Sequence, residues 1–140
     1  MPHTYESLQV GDGFTWSRVI TAEDVQKYAD VTGDDNPLHL DAEYAATTPF
    51  GKPVVHGMYV LGLASKVLGR DFPGHGAVAV SISVKFLRPV PVGEEVTIEV
   101  KVFEKIERFK HVKIRLYAYV NGKMVVGGEA VVIPPGGEPD

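Results

Sequence analysis

"GMYVLGLASKVL", residues 57–68, decides how the rest of the chain is read. Lys66 is its only charge. Met58, Leu61, Ser65 and Leu68 share one helical stripe, and Leu63, Ala64 and Val67 widen it. A helix apolar nearly all round must be covered on most sides, so this one is expected to be the central helix of a domain. The run falls well short of the ~20 apolar residues of a membrane span.

The cover comes from the C-terminal half of the chain. "AVAVSISVKFLRPV" (77–90) and "EEVTIEVKVFEKIER" (94–108) read as strands, the second with clear alternation. "HVKIRLYAYV" and "KMVVGGEAVVI" flank Asn121-Gly122, the strongest short hairpin signal, so 111–133 is expected to form a hairpin. Gly127-Gly128 inside the last strand implies a bulge or a close backbone approach. Upstream, "FTWSRVI" (14–20) is a strand candidate. "TAEDVQKYADVTG" is a helix with Thr21 as N-cap, Asp24 three residues on and Gly33 as its stop. Tyr28 falls on its apolar face and is expected in the core. "DAEYAATT" (41–48) is a second short helix capped by Asp41, and "PFGKP" breaks the chain before the apolar run.

The order points to an α+β fold, with a curved antiparallel sheet wrapped round one apolar helix. Such a sheet has two edges, and joining it to the sheet of a second copy would cover one of them, so a homodimer or higher homo-oligomer is expected. The 140 residues fit a single domain, expected over 1–133, with "PPGGEPD" (134–140) as a disordered tail.

Composition narrows the function. The net charge of −4 is scattered, which argues against nucleic acid, because that binding rests on clustered Lys and Arg. The chain has no cysteine, which removes disulfides, thiol nucleophiles and cysteine-held metals and fits a reducing compartment. No basic start with an apolar run marks a signal peptide, and a cytoplasmic location is expected.

Chemistry concentrates in "TGDDNPLHLD", residues 32–41. Asp34 and His39 are five apart, about 140° around a regular helix. Pro37 pushes Asn36 out of the helical region, so the chain there is expected to turn, and a turn can bring both side chains to one pocket. A carboxylate titrating near ~4 and an imidazole near ~6.5 make a natural pair for moving protons. Alone, the loop reads equally well as an Asx-rich turn in which Asp34 caps and His39 is merely satisfied. Asp35 is assigned to solvent. Gly57 adds a second feature: at the start of the apolar helix its N–H lacks an intrahelical partner and the dipole favours negative charge, which suits an oxyanion hole. Its plainer role is to ease the turn. His56 reads as a structural hydrogen bonder. Ser65 either bonds the carbonyl four residues back or reaches toward the loop.

"GDDNPLHLDAEYAATTPFGKPVVHGM" resembles the hydratase 2 motif of the MaoC-like family, which holds (R)-specific enoyl-CoA hydratases and 3-hydroxyacyl-thioester dehydratases of the hot-dog fold. The D-x-N-P-[LIV]-H core with a following HGM is specific, and the resemblance is dense over 28–68. It implies that Asp34 and His39 activate one water, that Asn36 shapes their loop, that the Gly57 N–H polarises the thioester carbonyl and that Ser65 supports the site. It implies reversible syn hydration of a trans-2-enoyl thioester to the (R)-3-hydroxyacyl thioester. No metal and no redox cofactor is expected, and coenzyme A enters only as part of the substrate, with acyl carrier protein as the other possible carrier. The acyl chain would run along the central helix, with Phe50, Leu61 and Leu68 as wall candidates or simple core. Two alternatives stay open: a hot-dog acyl-CoA thioesterase, and a non-catalytic acyl-thioester-binding subunit.

Overall fold

A computed structural model describes residues 3–136. Five strands, β1 (Gly13–Val19), β2 (Val78–Phe86), β3 (Glu95–Ile106), β4 (His111–Val120) and β5 (Lys123–Ile133), form one antiparallel sheet in the order β1-β3-β4-β5-β2. Alternation builds its inner face. Val96, Ile98, Val100 and Val102 of β3 and Val112, Ile114, Leu116 and Ala118 of β4 are all buried, while Lys101 and Arg115 point outward. Helix α4 (Gly57–Lys66) lies against that face, and Val60, Leu63 and Ala64 join the sheet residues in one core.

The hairpin forms as expected. Asn121 (φ 50°) and Gly122 (φ 77°) make a tight turn that pairs Val120 with Lys123. Gly127-Gly128 marks a close approach rather than a bulge. A Cβ on Gly128 would sit 2.0 Å from the Ser83 carbonyl oxygen of β2, so only glycine lets β2 pair here. The β4–β5 register shift lies elsewhere, at Ala118/Tyr119.

Three expectations need correction. The apolar run 57–68 is not one continuous α-helix, because α4 ends at Lys66 and Val67–Asp71 form a π-helical turn. Nor is it covered all round: Met58, Gly62 and Ser65 are exposed, because the sheet packs on one side only. And 32–41 is more than a turn, since Pro37–Leu40 form the one-turn helix α2. Pro37 stands at the first helical position, where its missing N–H has no partner to lose, and Asn36 caps the turn by accepting the Leu38 N–H at 3.0 Å. Of the expected tail, Pro134 and Pro135 are buried, and residues 137–140 lie outside the described residues.

Helix α1 (Ala22–Thr32) carries the expected capping box. Asp24 N–H donates to Thr21 Oγ1 at 3.1 Å, and Thr21 N–H donates back to Asp24 Oδ2 at 3.0 Å. That backbone bond, with help from the Thr21 hydroxyl and the Arg18 guanidinium 2.8 Å away, holds the Asp24 carboxyl below the usual carboxylate range. A depressed folded pKa stabilises the fold above the unfolded value and loses that contribution as pH falls through the folded one. Asp24→Ala is therefore expected to cost about 1 kcal/mol at neutral pH. Urea melts of the two proteins should converge as pH falls below ~4.

Helix α3 (Ala42–Ala46) follows α2, with Asp41 Oδ1 accepting the N–H groups of Glu43 and Tyr44 as its cap. The α1–α3 segment then leads through Val54–His56 into α4, and this junction makes the site.

Candidate active site

Three hydrogen bonds fasten the Asp34–His39 loop to the strand-like segment that enters α4. Val54 N–H donates to the Leu38 carbonyl at 3.3 Å, His39 Nδ1 to the Val54 carbonyl at 2.6 Å, and His56 Nε2 to the Asp34 carbonyl at 3.0 Å. A carbonyl only accepts, so each ring carries a proton on the nitrogen that faces it. His39 Nδ1 is therefore taken, and Nε2 is the ring nitrogen left for another partner. Asp34 is exposed and His39 half-buried. Among the described residues, the Asp34 carboxylate takes only a long bond, 3.4 Å, from the Asn36 N–H. Its carboxylate thus remains open to a ligand.

Asp34, His39 and His56 each place one ligand-type atom within 4.8 Å of the other two. That separation lets one water touch the acid and the imidazole together. A cation fits less well. The His39 and His56 rings stack at 3.9 Å with planes only 27° apart. Imidazole lone pairs lie in the ring plane, so two near-parallel planes do not meet at the ~2.0–2.1 Å that a zinc ion needs from both nitrogens.

Gly57 follows His56 directly and opens α4. His56 is the N-cap residue but makes no side-chain cap bond, because its ring is turned to Asp34. Tyr59 N–H donates to the His56 carbonyl at 3.0 Å, while no cap side chain claims the N–H groups of Gly57 and Met58. Gly57 also lines a cavity of about 330 Å³ with Phe50, Val55, Val60, Phe86, Leu87, Arg88, Pro89, Val90 and Val126.

Residues 10–123 match the MaoC like domain. The chain belongs to the MaoC-like family. A 3-hydroxybutyryl-CoA dehydratase of Methylorubrum extorquens is 40% identical over 131 residues, which span 94% of this chain and 83% of that protein. An (R)-specific enoyl-CoA hydratase of Aeromonas caviae is 40% identical over 132 residues, 93% of this chain and 98% of that protein. The solved (R)-hydratase from A. caviae, described as involved in PHA biosynthesis, superposes with a TM-score of 0.91 over 93% of this chain and 99% of its own. The sheet and helix of this MaoC-like chain make the hot-dog fold.

Within the MaoC-like frame, the expected residues divide. Asp34 and His39 come together, Asn36 shapes their loop from its capping position, and Gly57 follows immediately on the His56 that joins them. Phe50 lines the cavity. Leu68 is buried in the core cluster and Leu61 packs on its margin, and neither is among the residues lining that cavity. Ser65 stands on the exposed face of α4, two helical turns from Met58.

Sequence reasoning missed the rest. Tyr28, assigned to the core, is half-buried and packs on His56 at 4.5 Å and on Tyr59 at 5.4 Å. Burial and the nearby Asp24 charge push the Tyr59 hydroxyl up, so it stays a phenol at neutral pH. Phe86 reaches the cavity from the end of β2, beside Arg88 and far past Gly57 in the chain, and no local signal announces Phe86.

Proposed function

We propose that this MaoC-like chain is a hydro-lyase, an (R)-specific enoyl-CoA hydratase or 3-hydroxyacyl-thioester dehydratase. The observation that carries the reading is the Asp34–His39 pair, held within one water's reach and fastened to the free N-terminus of α4. A water between the Asp34 carboxylate and His39 loses a proton to one of them as its oxygen adds to C3 of a trans-2-enoyl thioester. The other gives a proton to C2 on the same face, so addition is syn; that the attacked face is the one giving the (R)-3-hydroxyacyl thioester is supported by the likeness to (R)-specific hydratases. Charge that builds on the thioester oxygen between these steps falls to the Gly57 N–H and the α4 dipole. The group that took the water proton passes it through the next water to the group that gave one, so each cycle adds one H and one OH and leaves both groups as they began; the reading calls for no metal or redox cofactor. The carrier is coenzyme A or acyl carrier protein.

The test is crotonyl-CoA. Loss of the enoyl absorbance without release of free thiol supports hydration. Thiol release with the double bond intact would instead establish a thioesterase, and no reaction would favour a binding subunit.

The working form is a homodimer, in the cytoplasm. Its support is the bare edge of β2, where Val78, Val80 and Phe86 are each more than half exposed, and the uncovered Met58 face of α4. A monomeric mass by sedimentation at micromolar concentration would remove that part of the reading.

A further inference from the structure

His56 is 2% exposed, and its surroundings are hard to explain as packing alone. Its Nε2–H donates to the Asp34 carbonyl, one face lies on the His39 ring, and Tyr28 also packs on it. The other nitrogen, Nδ1, is buried with no hydrogen-bond partner. Leaving a buried acceptor unmet destabilises the fold. An Asn, Asp or Ser at this N-cap position would satisfy the helix end better. The chain therefore places, at the mouth of α4, a residue that forgoes a cap and an internal bond. What it gains is contact with both members of the acid–base pair at once.

We propose that His56 is a positioning residue for the hydration reaction, acting as a fixed hydrogen-bond donor. Its Nε2–H sets the Asp34 backbone, and through it the direction of the carboxylate. Its ring face sets the plane of His39, whose own Nδ1 is tied to Val54. The two rings then present Asp34 and His39 Nε2 to one water with no freedom to drift apart. His56 does not itself exchange a proton with the substrate, since its one donor faces a carbonyl. This rests on the hydratase reading, and the experiment separates the two.

His56→Phe keeps an aromatic face and removes the donor, while His56→Gln restores an amide N–H within reach of the Asp34 carbonyl. With crotonyl-CoA, the Phe variant should lose about tenfold or more in kcat with KM little changed, as misplacement of a catalytic group does, and the Gln variant should recover much of that loss. Nitrogen-15 NMR of the unaltered protein should find the His56 proton on Nε2. A Phe variant with wild-type kcat, a folded Gln variant no better than Phe, or a wild-type proton resident on Nδ1 would each overturn the assignment. If His56→Phe does not fold, the NMR and the Gln variant still decide. Wild-type protein that fails to hydrate crotonyl-CoA removes the hydratase reading, whereas wild-type hydration insensitive to His56 removes only this inference.

Discussion

Asp34→Asn and His39→Gln each reduce crotonyl-CoA hydration by about a hundredfold or more, and neither shifts the melting temperature by more than a few degrees. The size follows from the chemistry. Water is a poor nucleophile and C2 of the enoyl thioester a poor base, so the step needs a proton taken and a proton given in one geometry. Asparagine keeps an oxygen that can accept the Asn36 N–H, the single bond the Asp34 carboxylate takes from the loop, but it cannot carry the proton. Glutamine at 39 keeps a donor for the Val54 carbonyl and loses the ring nitrogen on the other side. Because Asp34 is exposed and His39 only half-buried, the core is untouched in both variants. The double variant should be little worse than either alone, because two groups that share one water act as a unit. Wild-type rates in both single variants would show that the pair is a turn and no more.

Gly57→Pro is expected to be the second large effect, about a hundredfold to a thousandfold in kcat, the usual consequence of removing one oxyanion donor. The substitution is unusually clean at this position. Gly57 is the first residue of α4, where proline is well tolerated because the N–H it lacks has no intrahelical partner. His56 before it has φ −58° and ψ 129°, the extended conformation that a following proline requires. One complication is steric: a Cβ on residue 57 would lie 2.9 Å from the Phe86 ring, which must give way. Gly57→Ala adds the same Cβ and keeps the N–H, so it measures that steric part alone. A proline variant no slower than the alanine variant would mean that the Gly57 N–H takes no charge in the reaction.

Much of the fold is legible from local signals. Thr21 and Asp24 announce α1, Asn121-Gly122 the hairpin, and the alternation of β3 and β4 a half-buried sheet, because caps, tight turns and strand faces are settled within a few residues. The D-x-N-P-x-H and HGM segments are equally local, and they point to the reaction. Less legible is anything that depends on what lies across a gap. The exposure of Met58, Gly62 and Ser65 follows from a sheet that covers one side only, and apolar composition carries no record of which side that is. The fate of Gly128 depends on how near β2 runs, a distance between strands that are far apart in the chain.

Residue type and short spacing carry the α+β order and the helix start at Gly57, and they mark Asp34 and His39 as candidates whose roles the family resemblance supplies. The tertiary structure alone decided how the pair is held. Asp34 and His39 are positioned by the His56 ring and the Val54 carbonyl, twenty-two and fifteen residues away, and the cavity beside Gly57 is finished by Phe86 and Arg88 from the end of β2. Hydrogen bonds and stacking of that span exist only once the chain has closed on itself. His56 is the first residue of HGM and neighbours Gly57 in the sequence, yet it meets the Asp34 carbonyl and the His39 ring only through the tertiary fold.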